Sequence, residues 1–438
     1  MPVPRVRLAD PASIPVHDLV RADRVHRLAY TDPDVFAAEM VKVFGQTWVY
    51  CAHDSELPNP NDFKTGHLGL RPIIVCRERG GRVCVLFNRC THRAATVCRV
   101  ERGNAKSFQC PYHGWTFRND GELIGTPWPD AYGADFRRAE LNLGRVPRVE
   151  SYRGFIFATL NEDAPPLRDH LGPAANLLDQ WLDRTAAGTV TVRSGANRMV
   201  YRGNWKLASD NSGDGYHPAF SHRSLLQLGG RFGDAKDMVY FGRTPDEGPM
   251  YAQDLGNGHT FIDQRPSYDG VGSYWAQQRV QPGREAFEER IRARYGSDAD
   301  RLLDLVVGSQ MNLNIFPNLL VIGNQIQVIE PMAVDRTQLT WHATTVDGLP
   351  DEINTLRMRT QEDFPAFGEP DDQANFEEAQ RGLGVPEMDW VMMHRGLGVE
   401  GREKTDEAGI VTGPVTDEHP MRGFYREWAR LMADEAGA

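Results

Sequence analysis

Cys90-Thr91-His92 and, beginning eighteen residues after that histidine, Cys110-Pro111-Tyr112-His113-Gly114-Trp115 are the stretches on which the fold of this chain turns. Each short loop supplies one cysteine and one histidine, a donor set suited to a metal centre. A structural zinc ion also accepts two cysteines and two histidines, but zinc modules usually present paired cysteines about two to four residues apart and then paired histidines. The mixed pairs argue against zinc. The flanks read as β-structure: Ile73 to Cys76 and Val83 to Phe87 form strands around Gly80-Gly81, and Trp115 to Phe117 leads into an Asn119-Asp120-Gly121 turn.

A Rieske [2Fe–2S] centre is the arrangement that needs this mixture. Two thiolates hold one iron, two imidazoles hold the other, and the neutral histidines lift the reduction potential far above that of an all-cysteine cluster. Each loop must reach both irons. Cys90, His92, Cys110 and His113 are therefore the expected cluster ligands, and the chain is read as an electron acceptor.

Composition sets the surrounding frame. With 438 residues the chain exceeds one ordinary core, so more than one domain is expected. A formal net charge of -11, with no Lys/Arg cluster, argues against a nucleic-acid-binding surface. No apolar run approaches membrane-spanning length and no signal-peptide h-region is present, which predicts a cytoplasmic protein. The remaining cysteines, Cys51, Cys76, Cys84 and Cys98, are expected as reduced core thiols.

Three segments emerge along the chain. Residues 1–44 carry a helix, capped by Thr31 or Asp32 and started by Pro33, with Phe36, Met40 and Phe44 at helical spacing. Residues 45–160 alternate short apolar runs with Gly, Pro and Asn/Asp and close on Phe155-Ile156-Phe157-Ala158, which predicts a small all-β domain. Pro165-Pro166 marks the boundary to a mixed domain, residues 161–438. Its expected helices lie around Leu177 to Leu182, Glu285 to Arg294 and Met421 to Met432; its expected strands are Val190 to Val192, Leu319 to Ile322, Ile326 to Ile329 and Leu339 to Thr344. The Gly/Tyr/Gln-rich region from Gly256 to Arg284 fits either a loop over a pocket or a surface insertion.

A second chemical constellation runs from Gly203-Asn204-Trp205-Lys206 through Asp210-Asn211-Ser212-Gly213-Asp214-Gly215-Tyr216-His217 to His222. Two histidines and one carboxylate on one face leave open positions on Fe(II), as oxygen activation requires. A His-x4-His pair alone is weak, since histidines at that spacing are more often structural. The cluster upstream raises its weight, because a one-electron carrier needs somewhere to deliver its electron.

Taken together, Cys90-x-His92, Cys110-x2-His113-Gly114-Trp115, Asn204-Trp205-Lys206 and Asp214-x2-His217-x4-His222 resemble the catalytic α subunit of Rieske non-haem iron aromatic-ring-hydroxylating oxygenases. Asn314-Ile315-Phe316-Pro317-Asn318 and Met421-Arg422-Gly423-Phe424-Tyr425 extend the resemblance. It implies an α+β protein: the all-β Rieske domain plus a catalytic domain with an antiparallel sheet wrapped around a helix, in helix-grip (START-like) fashion. It also implies that His217 and His222 bind a mononuclear iron. The third ligand should come from the Asp371-Asp372 pair ahead of a helix; Asp372 is the first choice, with Asp371 and Glu369 as fallbacks. By the same resemblance Asp214 bridges a Rieske histidine of a neighbouring subunit to His217, and Asp210 supports the iron site from behind.

The implied assembly is a head-to-tail ring, a homotrimer or an α3β3 complex with a small β subunit, since a heterologous interface closes as a ring. The implied reaction adds O₂ to an aromatic ring with electrons from NAD(P)H. Gly396-Leu397-Gly398-Val399-Glu400-Gly401 matches a dinucleotide fingerprint on paper, but no apolar helix follows it, so it is read as a loop. Electrons must then come from a separate reductase, directly or through a ferredoxin that docks near His92 and His113. The Asp210 to His217 segment is most similar to oxygenases of benzoate, p-cumate and anthranilate, which favours cis-dihydroxylation of a single-ring aromatic carboxylate. Dioxygenation of polycyclic hydrocarbons and Rieske monooxygenation with O-demethylation stay open. A bare electron carrier would need only the first domain, so the residues after Leu160 argue against it.

Overall fold

Gly80-Gly81 turns the chain between two antiparallel strands, Arg71–Arg77 and Val83–Phe87, with Ile73, Ile74, Val75 and Cys76 all buried. The computed structural model from which this comes describes residues 16–192, 194–222, 249–268, 273, 275–276 and 283–433. These fall into two compact units: Met40–His170 with Thr191–Arg193, and the described residues of Met1–Glu39, Leu171–Val190 and Ser194–Ala438.

The first unit is built of three small antiparallel sheets. One has four strands in the order Val83–Phe87, Arg71–Arg77, Asp62–Leu68, Arg102–Asn104; the others have three each, one of them ending in Ser107–Gln109 and Thr116–Arg118. The four-stranded sheet and the sheet with Ser107–Gln109 and Thr116–Arg118 enclose Phe63, Ile74, Leu86, Phe108, Trp115, Phe117 and Leu123 together with Cys90 and Cys110. The loop carrying Cys110 and His113 caps the Ser107–Gln109/Thr116–Arg118 hairpin. The loop carrying Cys90 and His92 lies instead between the two edge strands of the four-stranded sheet. Cys51, Cys76, Cys84 and Cys98 are buried free thiols, as expected.

The second unit is organised on one antiparallel sheet in the order Asn197–Tyr201, Arg336–Ala343, Gln325–Ala333, Leu319–Ile322, Met311–Ile315, Thr260–Asp263, Tyr251–Asp254, Val411–Pro414, Lys404–Thr405. Helix His419–Met432 packs on Tyr251–Asp254 and Thr260–Asp263, burying Met421, Phe424, Tyr425, Trp428 and Met432 at helical spacing. This is the sheet-and-helix arrangement expected of the catalytic domain. Helix Pro33–Lys42 starts where Pro33 placed it, and Asp32 Oδ1 accepts the amides of Asp34 (2.8 Å) and Val35 (3.0 Å).

Beneath the sheet lies a polar network that joins distant parts of the chain. Glu39 and Lys206 form an ion pair with both side chains fully buried. Trp205 Nε1 (2.9 Å) and Trp428 Nε1 (2.8 Å) donate to the same carboxylate, and the Lys206 ammonium sits 5.0 Å from the Trp205 ring centre. Asn204 Nδ2 donates to the carbonyls of Tyr30 and Val334. The Asn204-Trp205-Lys206 triplet is thus the anchor of helix Lys206–Ser212, which leads straight into the Asp214 to His222 segment.

Two expectations are corrected. Val190 to Val192 is not a strand: Val190 and Val192 are buried, but Val192 N–H donates to Ser55 Oγ rather than to a neighbouring strand, and the sheet begins at Asn197. The run is a buried linker, with Thr191 buried as well. The N-terminal segment, expected as helical, also contributes the hairpin Val20–Arg21/Arg24–His26, extended by Trp390–Met392. The Gly256 to Arg284 region contains strand Thr260–Asp263; the reading of it as a loop over a pocket falls in part on residues 269–272, 274 and 277–282, outside the described residues.

Candidate metal centres

The two cysteine–histidine loops share one backbone design. In each, the cysteine N–H donates to the carbonyl five residues on (Ala95, 2.8 Å; Trp115, 2.7 Å), and the cysteine carbonyl accepts from the amide four residues on (Ala94, 3.0 Å; Gly114, 2.9 Å). The residue that closes each turn is left-handed, with φ 62° at Ala94 and 74° at Gly114. A side chain at Gly114 is disfavoured, because a Cβ there would lie 2.9 Å from Pro127 Cγ. Ala94 carries its Cβ in this strained region. Ala94→Gly is therefore expected to stabilise the protein by about 0.5 to 1 kcal/mol, the relief of strain exceeding the extra unfolded-state entropy of glycine. A denaturation midpoint that stays put or falls, at unchanged cluster content, would contradict the strain.

The loops face each other. The His92 and His113 rings are 4.6 Å apart, and His92 stacks on Trp115 at 4.8 Å with 6° between planes. Cys90 and Cys110 are buried in the core, while His92 and His113 are half-buried. The donor set fits a Rieske cluster: His92 Nδ1 is buried and has no hydrogen-bond partner among the described residues. Burial pushes the Cys90 thiol up, and the Cys110 sulfur beside it adds to this, so holding a thiolate at Cys90 calls for a metal.

In the second unit, His217 and His222 flank the short helix Pro218–Ser221. The approach is fixed by Gly215, whose N–H donates to Val415 O and whose position would put a Cβ 2.5 Å from that oxygen. Both rings aim Nε2 at one oxygen: Asp372 Oδ1 lies 3.5 Å from His217 Nε2 and 3.4 Å from His222 Nε2. The three ligand atoms lie within 4.8 Å of one another. Asn211 Nδ2 donates to Asp372 Oδ1 at 3.2 Å. Burial pushes the Asp372 carboxyl up, with the two imidazoles pulling it down; a cation between the three donors would hold it ionised. This is the geometry of a two-histidine, one-carboxylate face.

The outward nitrogens meet carboxylates too. Asp214 Oδ2 stands 3.7 Å from His217 Nδ1, and Asp371 Oδ2 stands 3.6 Å from His222 Nδ1. The adjacent aspartates thus face opposite sides of the histidine pair. They lie inside the first turn of helix Glu369–Gly382 rather than ahead of it. Glu369 is buried behind Asp372, contacting Gln327 and Gln373; burial pushes its carboxyl up to about 8, and it is not among the three converging donors. Asp210 also stands apart from them, held by Tyr30 and Tyr425. A further group, Glu403, Asp417 and His419, has metal-like spacing, but Arg402 and Arg422 already neutralise its two carboxylates. The Gly396 to Gly401 segment is a loop, as expected.

Comparison with known proteins gives this geometry its class. Residues 47–152 match the family model of the Rieske [2Fe-2S] domain, and residues 189–434 match that of the ring hydroxylating alpha subunit (catalytic domain). The chain is 34% identical over 387 residues to the 2-halobenzoate 1,2-dioxygenase large subunit of Burkholderia cepacia, covering 85% of this chain and 80% of that one. It is 31% identical over 436 residues to the anthranilate 1,2-dioxygenase large subunit of Acinetobacter baylyi, covering 94% and 90%. A solved structure of naphthalene 1,2-dioxygenase with indole bound in the active site superposes with a TM-score of 0.79 at 29% identity, covering 96% of this chain and 95% of that one. The chain belongs to the α subunits of the Rieske aromatic ring-hydroxylating dioxygenases. Its cofactors are accordingly a Rieske [2Fe–2S] cluster and a mononuclear iron, with O₂ as co-substrate and electrons from NAD(P)H arriving through a reductase. Among the described residues no helix is long and apolar enough to cross a membrane.

Proposed function

We propose that this chain is the terminal oxygenase component that cis-dihydroxylates a single-ring aromatic carboxylate, with Cys90, His92, Cys110 and His113 holding the cluster and His217, His222 and Asp372 holding the iron. The observation that carries the iron assignment is the convergence of both histidine Nε2 atoms on Asp372 Oδ1. Iron bound to such a face keeps coordination positions open for O₂. The chain's own groups fix its geometry. Asn211 holds the ligating oxygen of Asp372, Asp371 orients the His222 ring, and Asp214 orients the His217 ring. Asp214 is partly exposed and its Oδ1 accepts the Tyr216 amide at 2.6 Å, so its other oxygen can serve both His217 and an incoming Rieske histidine. In this reading the histidine belongs to a neighbouring copy in a ring of three, with or without a small β subunit. A reductase or ferredoxin reaches the cluster at its histidine edge, in the cytoplasm where NAD(P)H is made.

The carboxylate preference rests on likeness to enzymes named for 2-halobenzoate and anthranilate. It is tested by supplying the purified oxygenase and a matched reductase with benzoates, anthranilate and naphthalene under ¹⁸O₂. The expected product is a ring-carboxylate cis-diol carrying label on both hydroxyls. Label on one oxygen, or turnover of naphthalene alone, would contradict this reading.

A further inference from the structure

Asp210, Tyr30 and Tyr425 form a closed triangle of oxygens. Tyr30 Oη is 2.9 Å and Tyr425 Oη 3.0 Å from the same carboxyl oxygen, Oδ2, and the two hydroxyls are 2.6 Å apart. Each edge is a hydrogen-bond length and needs one proton. Both tyrosines are buried and keep their protons, since burial pushes each hydroxyl well above its ordinary range, so they supply two. An ionised Asp210 would leave one edge with facing lone pairs. A protonated Asp210 supplies the third proton and closes the ring. Its other oxygen, Oδ1, is shut away from water and has no hydrogen-bond partner among the described residues, which suits a neutral acid and penalises an anion.

We propose that Asp210 is a neutral carboxylic acid, closing a three-member hydrogen-bond ring with Tyr30 and Tyr425, that holds one proton and keeps the position four residues before Asp214 uncharged. It is a positioning residue: it touches no metal donor but sits on the helix, Lys206–Ser212, that also carries Asn211. The charged and titratable groups around it are accounted for. Lys206, on its own helix, is committed to Glu39; Tyr30 and Tyr425 come from helices Leu28–Thr31 and His419–Met432; Tyr201 lies on strand Asn197–Tyr201; Asp214 follows in the chain. Burial raises the carboxyl to about 7, with Asp214 adding to the rise and the tyrosines and Lys206 opposing it. The proton is therefore lost around pH 7. The native state then binds more protons than the unfolded chain between the ordinary carboxyl range and about pH 7, so this group's contribution to stability is largest in acid and is lost as pH rises through about 7. Above that pH an anion stands at Asp210, on the helix whose Asn211 holds Asp372, and its charge would oppose adding an electron to a metal bound there.

The test is infrared difference spectroscopy of the holoenzyme, wild type minus Asp210→Asn, in H₂O and D₂O. A carboxylic-acid carbonyl band that shifts in D₂O and titrates away above about pH 7 is expected; Glu369 is common to both proteins and cancels. The rate of iron reduction by the cluster should fall above about pH 7 in wild type, and Asp210→Asn should lack that inflection. A difference spectrum with carboxylate bands alone at about pH 6 would overturn the proposal. Should Asp210→Asn not fold, Tyr425→Phe serves instead: it removes one edge and must move the band, and an unmoved band counts against the ring. Neither readout depends on which aromatic substrate the enzyme takes.

Discussion

Asp214→Asn is expected to leave both metal centres loaded while coupled turnover falls by about 100-fold or more, the upper range for a group that orients a metal-bound histidine. The substitution preserves shape and can still accept the Tyr216 amide, but it removes the negative charge 3.7 Å from His217 Nδ1. An amide cannot serve two imidazoles as acceptor on one side and anion on the other. Iron and sulfide content, the reduced-cluster EPR signal and substrate binding should match wild type, whereas reduction of the mononuclear iron should stall. Normal coupled turnover in the variant would remove Asp214 from the electron path.

Asp372→Ala is expected to lose the mononuclear iron altogether. Among the described residues its Oδ1 is the one carboxylate oxygen within 3.5 Å of both histidine Nε2 atoms, so the remaining pair offers two neutral donors and no charge. Metal analysis should fall from about three irons to about two per chain with the Rieske signal intact, and product formation should vanish. Asp371→Ala separates the adjacent residues: it faces His222 Nδ1, so iron binding should weaken about 10- to 100-fold rather than disappear. Retention of the third iron in Asp372→Ala, with loss in Asp371→Ala, would reverse the assignment.

What the sequence disclosed and what it hid follow from how far each feature reaches along the chain. The cluster loops were legible because all four donors lie within residues 90–113 and the turns around them are written in Gly, Asn and Asp. Strands Val83–Phe87 and Leu319–Ile322 matched their expected limits, being apolar runs bounded by turn residues. Val190 to Val192 misled because a β-branched run records burial, and all three residues are buried in a linker outside the strands of the sheet. Asp371 and Asp372 could not be separated by spacing, since neighbours on a helix point about 100° apart and only the fold says which faces the histidines. Least legible were the networks that anchor the site. Glu39 meets Lys206 across 167 residues, and Tyr425 meets Tyr30 across 395. Local patterning carries no trace of such pairs; the one hint was the unusual Asn-Trp-Lys triplet, three residues whose polar groups are satisfied only in the folded state.

The central claim is that one chain holds both a Rieske cluster and an iron on His217, His222 and Asp372. Anaerobic purification followed by iron, zinc and acid-labile sulfide analysis, with EPR after dithionite reduction, tests it most directly. The account predicts a Rieske signal with about three irons and two sulfides per chain. Stoichiometric zinc without sulfide would contradict it.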